Sequence, residues 1–283
     1  MPGETPKQEL EQLVELLGDI PPMPSVATKI LEIANSETVN VADVTRLIAM
    51  DQGLTSKLLA TCNSPYYGLR QKVKTLSRAV GLLGFKAVRN LVLVHSLPWN
   101  RSARPLFTEQ IIRVHAAATA IVARDLAGQT GTADPEEAML GGLMHDTGRL
   151  ALNIIMPEAY EPVLRSIYNR EGDSIALETK AIGTDHTVAG GLVLEKWSFP
   201  EELIHVARHH HDPPADLNPL TAIVRAADEI ALLMNYGAKE LTEAPTELPS
   251  GMIHLGFKLK DISELEERFS DSMEQGRVVF GLG

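Results

Sequence analysis

The sequence predicts an all-α fold, and three observations lead there. Apolar residues recur at steps of three and four through most of the chain, the period of one helix face. No segment alternates apolar and polar residues as a half-buried strand does. Helix-start signals stand just ahead of the apolar stripes: Asn40, Thr75, and above all Asp134-Pro135-Glu136-Glu137, with Asp at the cap and Pro in the first position.

Taken in order, Gln8–Leu17 carries Leu10, Leu13 and Leu17 on one face, and Ile20-Pro21-Pro22-Met23-Pro24 ends it. Val26–Ala34 follows. Asn40 caps the next helix, with Asp43 in its first turn. Then come Leu54–Cys62, a polar loop at Asn63-Ser64-Pro65, Leu76–Leu83 behind Thr75, and Lys86–Ser96. Pro98–Pro105 reads as a boundary. The expected division is an N-terminal helical part over 1–105, a core over 106–235 and an extension over 236–283. In the core, Ile111, His115, Ala118, Val122 and Leu126 form one stripe. The Asp134 start launches a helix through His145 and Asp146. Gly141 and Gly142 lie one turn earlier, where another helix can come close, and Gly148 sits one turn on. Thr184 or Asp185 opens a helix with His186, Ala189, Gly190, Val193 and Trp197 on one stripe. Pro200 opens the next. Its period carries Leu203, Ile204 and Ala207 onto His210 and His211, and turns His205 and His209 toward water. Leu220, Val224, Ala227, Asp228 and Ala231 share the stripe after that, and Arg225 and Glu229 read as an exposed pair at spacing four. Glu240–Gly251 reads as a loop and Leu259–Phe269 as a last helix. His95 and His254 stand alone and read as structural.

Composition narrows the function. The 283 residues carry a net charge of −11, which argues against a general nucleic-acid binder. The single cysteine, Cys62, excludes a disulfide framework and a cysteine-based zinc cluster, and reads as a packed core residue in a reducing cytoplasm. No apolar run is long enough to span a bilayer, and no secretory signal is evident. The charge is unevenly spread. Between Asp51 and Glu109 there is no acidic residue, whereas Lys57, Arg70, Lys72, Lys74, Arg78, Lys86, Arg89, Arg101 and Arg104 all fall there. This segment, 57–104, reads either as a solvated surface or as a docking face for an acidic partner, a nucleotide or RNA.

Five separate elements place His or Asp on an inward stripe: His115, His145 with Asp146, His186, His210 with His211, and Asp228. An unpartnered polar group or charge in an apolar interior costs several kcal/mol, on the order of 2–7 for a neutral group. A shared metal ion removes that cost, whereas a single inward histidine can simply bond a carbonyl. Imidazole and carboxylate without thiolate suit divalent iron, manganese, zinc or magnesium. His115, His145, Asp146 and Asp228 suffice for one ion. His186, His210 and His211 leave room for a second, with Asp146 between them. Two ions about 3.5–4 Å apart can activate a water and stabilise the leaving oxygen of a phosphoester. Arg149, four residues after His145, faces the same cavity and can hold a phosphate oxygen.

The order His115 … His145-Asp146 … Asp228 resembles the HD superfamily of metal-dependent phosphohydrolases. Within it the chain resembles the HDOD (HD-related output domain) family of bacterial signalling proteins. Pro21-Pro22-Met23-Pro24, Asp51-Gln52-Gly53-Leu54, Asn63-Ser64-Pro65-Tyr66-Tyr67-Gly68 and Ala79-Val80-Gly81-Leu82-Leu83-Gly84 carry that likeness. The resemblance implies an HD-like helical bundle preceded by a family-specific helical region. It also implies a regulatory role toward a signalling protein or a nucleotide ligand, and with no receiver or sensor sequence evident the chain reads as a stand-alone module. The chain departs from the related cyclic-dinucleotide phosphodiesterases: Asp212-Pro213-Pro214 replaces their Gly-Tyr-Pro signature, and Arg149 stands where many HD enzymes have Lys. Two functions follow as expectations. One is regulation through partner or ligand binding with a divalent-metal site. The other is metal-dependent hydrolysis of a nucleotide or other phosphoester, with Asp146 and Arg149 at the reacting group.

Overall fold

The computed structural model describes residues 15, 18, 20–34, 39–97, 107–241, 245–277, 279 and 280, and among these there is no strand. The chain divides into two compact units, residues 22–97 with 263–283 and residues 1–21 with 98–262. This differs from the division expected at 105 and 235: the last residues join the N-terminal helices, and the core extends to 262. The expected helix at Gln8–Leu17 falls almost wholly outside the described residues, as do the expected boundary at 98–105 and, with it, Arg101 and Arg104.

The smaller unit begins with α1 (Ser25–Ala34), α2 (Val41–Ala49), α3 (Gln52–Cys62), α4 (Leu76–Leu83) and α5 (Phe85–Ser96). Three of these helices, α2, α3 and α4, start on a side-chain cap. Asn40 accepts from Ala42 N at 2.9 Å, Asp51 from Leu54 N at 2.9 Å, and Thr75 from Arg78 N at 3.3 Å. Such caps contribute about 1 kcal/mol each. α5 is buried all along Ala87–Val94, and α1, α3 and α4 pack against it. Cys62 is buried here, and burial pushes its thiol up to about 11, as expected of a packed residue.

His95 of α5 bonds Thr61 Oγ1 at 3.2 Å, and burial, aided by Lys57, lowers its pKa to about 4. The neutral ring is therefore the folded form. Above the unfolded value of 6.5 both states are neutral and the stability is fully present. As pH falls from 6.5 to 4 only the unfolded chain takes the proton, so stability is lost, and below 4 the loss stops. Urea unfolding between pH 7 and 4 should show the wild type losing about 2–3 kcal/mol more than the His95→Gln variant.

The larger unit holds α6 (Phe107–Thr130), α7 (Pro135–Met144), α8 (Thr147–Ile155), α9 (Pro157–Tyr168), α10 (Ser174–Ile182), α11 (His186–Lys196), α12 (Glu201–His209), α13 (Pro219–Leu233) and the short α14 (Ser250–His254). The Asp134 start forms as read, its carboxylate accepting from Glu136 N and Glu137 N. α6 packs on α7 and α13, α8 on α11, and α11 on α12. Two glycines set the closeness of these crossings. A Cβ on Gly142 would lie 2.7 Å from Thr119 O and 2.8 Å from Ala120 Cα of α6. A Cβ on Gly148 would run into the backbone of His186 and Gly190 in α11. Only a residue without a side chain lets these backbones meet. α15 (Ile262–Gly276) completes the described helices, burying Leu265, Phe269 and Met273. Among the described residues no single helix is long and apolar enough to cross a membrane.

Candidate metal centre

The inward His and Asp residues of the larger unit come together. His115 comes from the middle of α6, His186 from the first position of α11 behind an Asp185 cap, His210 and His211 from the end of α12, and Asp228 from α13. His145 and Asp146 differ from the continuous helix expected. The helix breaks there, with Asp146 at φ −97° and ψ 19° between α7 and α8. In an unbroken helix neighbouring side chains point about 100° apart. The break lets both enter one cluster.

Asp146 is its hub. Its Oδ2 lies 3.4 Å from His145 Nε2, 3.5 Å from His115 Nε2 and 3.2 Å from Arg149 Nε. Its Oδ1 lies 3.2 Å from His186 Nε2 and 3.7 Å from His210 Nε2. Asp228 Oδ1 is 2.9 Å from His115 Nε2 and 3.9 Å from His145 Nε2. Donor atoms of His115, His145 and Asp146 fall within 4.8 Å of one another, and so do those of His186, His210 and His211. Arg149 is buried beside Asp146, on the side expected. His205 and His209 stay outside: His205 bonds Thr221 Oγ1 at 3.1 Å, and His209 bonds Asp212 at 2.7 Å.

The outer nitrogens explain the orientation of these rings. His115 Nδ1 donates to Tyr236 O at 3.0 Å, and His145 Nδ1 to Gly142 O at 2.7 Å. His210 Nδ1 donates to the carbonyls of Val206 and Ala207, each at 3.1 Å. His186 Nδ1 donates to Glu178 Oε2 at 2.6 Å. A carbonyl or carboxylate partner fixes the proton on Nδ1, which leaves each Nε2 lone pair facing the cluster. His186 Nε2 then lies 3.3 Å from His210 Nε2 and 3.1 Å from His211 Nε2. At that separation the lone pairs of His186 and His210, both with the proton on Nδ1, repel unless a cation lies against them, while His211 Nε2 can donate to His186. His145 Nε2 and Asp146 Oδ1 are buried and make no hydrogen bond. The donor set therefore fits a divalent cation, with its rings held from behind as metal-ligating imidazoles are.

Electrostatics agree. Burial, then the His211, His145 and His186 rings, push the pKa of His210 well below the ordinary imidazole value. Burial and His186 lower His211 to about 4. Burial alone would raise the Asp146 carboxyl, but Arg149, His145 and His186 overturn that and hold it well below the carboxylate range. Asp228 is likewise lowered, against burial, by the His115 ring beside it. His145 moves the other way: burial opposes its charge, but Asp146 outweighs burial and raises its pKa. Its inward nitrogen is satisfied by a proton or by a metal, and the two compete.

Two parts of the site were not read from the sequence. Glu178 of α10 is fully buried; besides His186 Nδ1 it accepts from His186 N at 2.9 Å and from Tyr160 OH at 2.6 Å. Its register with Ile175 and Ile182 was the available signal. Arg225 and Glu229 are not an exposed pair but mostly buried, at 15% and 13% side-chain exposure. Arg225 Nη1 donates to the carbonyls of Asp212 at 2.6 Å and His210 at 3.2 Å, and Nη2 to Ser250 Oγ at 3.0 Å. Glu229 accepts from Gly251 N at 3.1 Å and Met252 N at 3.0 Å.

Comparison with known proteins places these features in context. A profile described as the HDOD domain matches residues 20–213. The fold is similar to that of an HDOD domain protein of unknown function from Geobacter sulfurreducens, at a TM-score of 0.80 and 22% identity, covering 97% of this chain and 99% of that one. It is also similar to a protein from Shewanella amazonensis SB2B named as a candidate phosphohydrolase, at a TM-score of 0.71 and 21% identity, covering 94% and 97%. At those identities the likeness is one of fold. An uncharacterized protein of Treponema pallidum (strain Nichols) is 26% identical over 221 residues, 76% of this chain and 43% of its own length. The chain thus spans less than half the length of that relative.

Proposed function

The chain belongs to the HDOD domain family, and from that premise we propose a signal-transduction protein that binds a partner or ligand and holds one or two divalent cations in its His/Asp core. The observation that carries the reading is the set of imidazoles with Nδ1 bonded outward and Nε2 turned in on Asp146 and Asp228. His115, His145, Asp146 and Asp228 would hold one ion. His186, His210 and His211 would hold another, with Asp146 reaching both groups. Imidazole-rich donors favour iron, manganese or zinc over magnesium. A divalent ion there supplies Lewis acidity toward an anionic ligand oxygen.

The chain's own residues do the rest. Glu178 keeps the His186 proton on Nδ1, and Tyr160 keeps Glu178 in place. Arg149, whose charge Asp146 sustains against burial, stands ready for a phosphate oxygen. Burial favours binding over turnover: His115, His145, Asp146, His186, His210 and Asp228 are no more than 5% exposed. A bulky substrate cannot reach them without movement. The second reading, a metal-dependent phosphohydrolase acting on a nucleotide or other phosphoester, is favoured by the placement of Arg149 beside the carboxylate that both groups share.

The test is metal content of chelator-free protein, followed by nucleotide binding and phosphate release. One to two equivalents of metal with nucleotide binding and no release supports the regulatory reading. Release that disappears in Arg149→Ala supports the second. A protein that holds no metal and takes none up sinks both.

A further inference from the structure

The smaller unit carries a surface that the metal reading does not use. Asn63 closes the loop after α3: its side chain donates to Val73 O at 2.8 Å and Leu59 O at 2.7 Å, and accepts from Val73 N at 2.7 Å. Val73 is buried while its neighbours Lys72 and Lys74 are exposed, so both lysines leave the same side of the segment. Thr75 then starts α4, whose outer face presents Arg78 and, one turn on, Leu82 at 42% exposure. Arg70 projects from the clamped loop. Arg70, Lys72, Lys74 and Arg78 make no ion pair among the described residues, and no acidic residue occurs in the sequence from 52 to 108. All 37 Asp and Glu of the chain lie elsewhere.

A row of like charges repels itself and is stabilised by an opposite charge laid along it. Here Asn63 pins the backbone between Lys72 and Lys74 before any partner arrives, which removes part of the ordering cost of binding. The aromatic pair nearby offers no stacking platform, because Tyr66 and Tyr67 are half-buried and meet edge to face at 5.2 Å. The exposed Leu82 is an apolar contact that a phosphate backbone cannot match. We propose that Arg70, Lys72, Lys74, Arg78 and Leu82 form a docking face for an acidic segment of a partner protein that carries one apolar side chain. The face lies within the smaller unit and stands or falls separately from the metal centre.

The experiment is fluorescence anisotropy of a short labelled Glu-rich peptide with one central Leu, titrated with the full chain. Binding at low salt should weaken steadily as salt rises. The double variant Lys74→Glu, Arg78→Glu should lose at least about tenfold in affinity. Asn63→Ala, with charge unchanged and helicity checked by circular dichroism, should lose about three- to tenfold because the loop is no longer held. Leu82→Ser, an exposed change that leaves the core alone, should weaken binding too. Three results would overturn the proposal. The first is equal affinity for wild type and the charge-reversed variant. The second is tighter binding of an oligonucleotide of equal charge. The third is salt-sensitive self-association abolished by the same reversal, which would make the partner a second copy.

Discussion

Asp146→Asn should empty the metal centre. The substitution keeps size and shape and removes one charge, so what changes is the electrostatics of the hub. That charge faces His115, His145, His186, His210 and Arg149 at 3.2–3.7 Å. It is the only donor that both His groups reach at those distances among the described residues. Loss of second-shell partners alone costs about 10–100-fold in metal affinity, and loss of a shared donor should cost at least about 100-fold. In the metal-free protein the buried Arg149 guanidinium also loses its closest anion, at a cost of about 3–5 kcal/mol. The measurement is metal by mass spectrometry after gel filtration, with urea unfolding on the same samples. His209→Ala is the control: its ring is 41% exposed, bonds Asp212 and stands outside the cluster, so metal content should not change. Equal loss from both variants would mean that the cluster is not where the metal sits. Retention in both would mean the same.

Gly148→Ala should be the most destabilising single methyl in the larger unit. The added Cβ would run into His186 O and lie 2.6 Å from Gly190 N and 2.7 Å from His186 C. All three are backbone atoms of α11, so no rotamer change relieves the clash, and α8 must move away from α11. Overpacking of this kind exceeds the usual 1–3 kcal/mol, and a loss above about 4 kcal/mol, or failure to recover folded protein, is expected. Gly190→Ala, on the other side of the crossing, meets Gly148 N at 3.1 Å and should cost less, about 1–2 kcal/mol. Gly128→Ala sets the baseline. Near the end of α6 its Cβ would find nothing closer than Pro135 Cγ at 4.0 Å, so Ala should stabilise by about 0.5–1 kcal/mol. Thermal unfolding of the three variants should rank them in that order. A Gly148→Ala protein as stable as wild type would show that the crossing is looser than described.

The helix period made most of the candidate site legible, because burial on a helix follows spacing. His115, His186 and Asp228 fell on stripes of small apolar residues, and those stripes face inward. The same period separated His210 from His205 and His209. What it could not supply was partnership across the chain. Glu178 meets Tyr160 and His186 at sequence distances of 18 and 8, and nothing in its own helix names them. Spacing four shows Arg225 one partner, Glu229, while its other partners include the carbonyls of His210 and Asp212, which carry no sequence signature. The break at His145–Asp146 has neither Pro nor Gly at the break itself. It coincides with the turn of both side chains into the cluster and with the close approach of α8 to α11.

The Arg225–Glu229 link bears on where the chain can be cut. A fragment stopped at 235, where the sequence suggests a core ends, would retain every inward His and Asp. It would lack Ser250 and the two amides that hold Glu229. The guanidinium that grips the carbonyls of His210 and Asp212 would then lose the segment bracing it. A fragment that keeps these contacts must therefore run past Met252, and the helical turn at 250–254, which carries none of the inward donors, belongs to the scaffold of the centre.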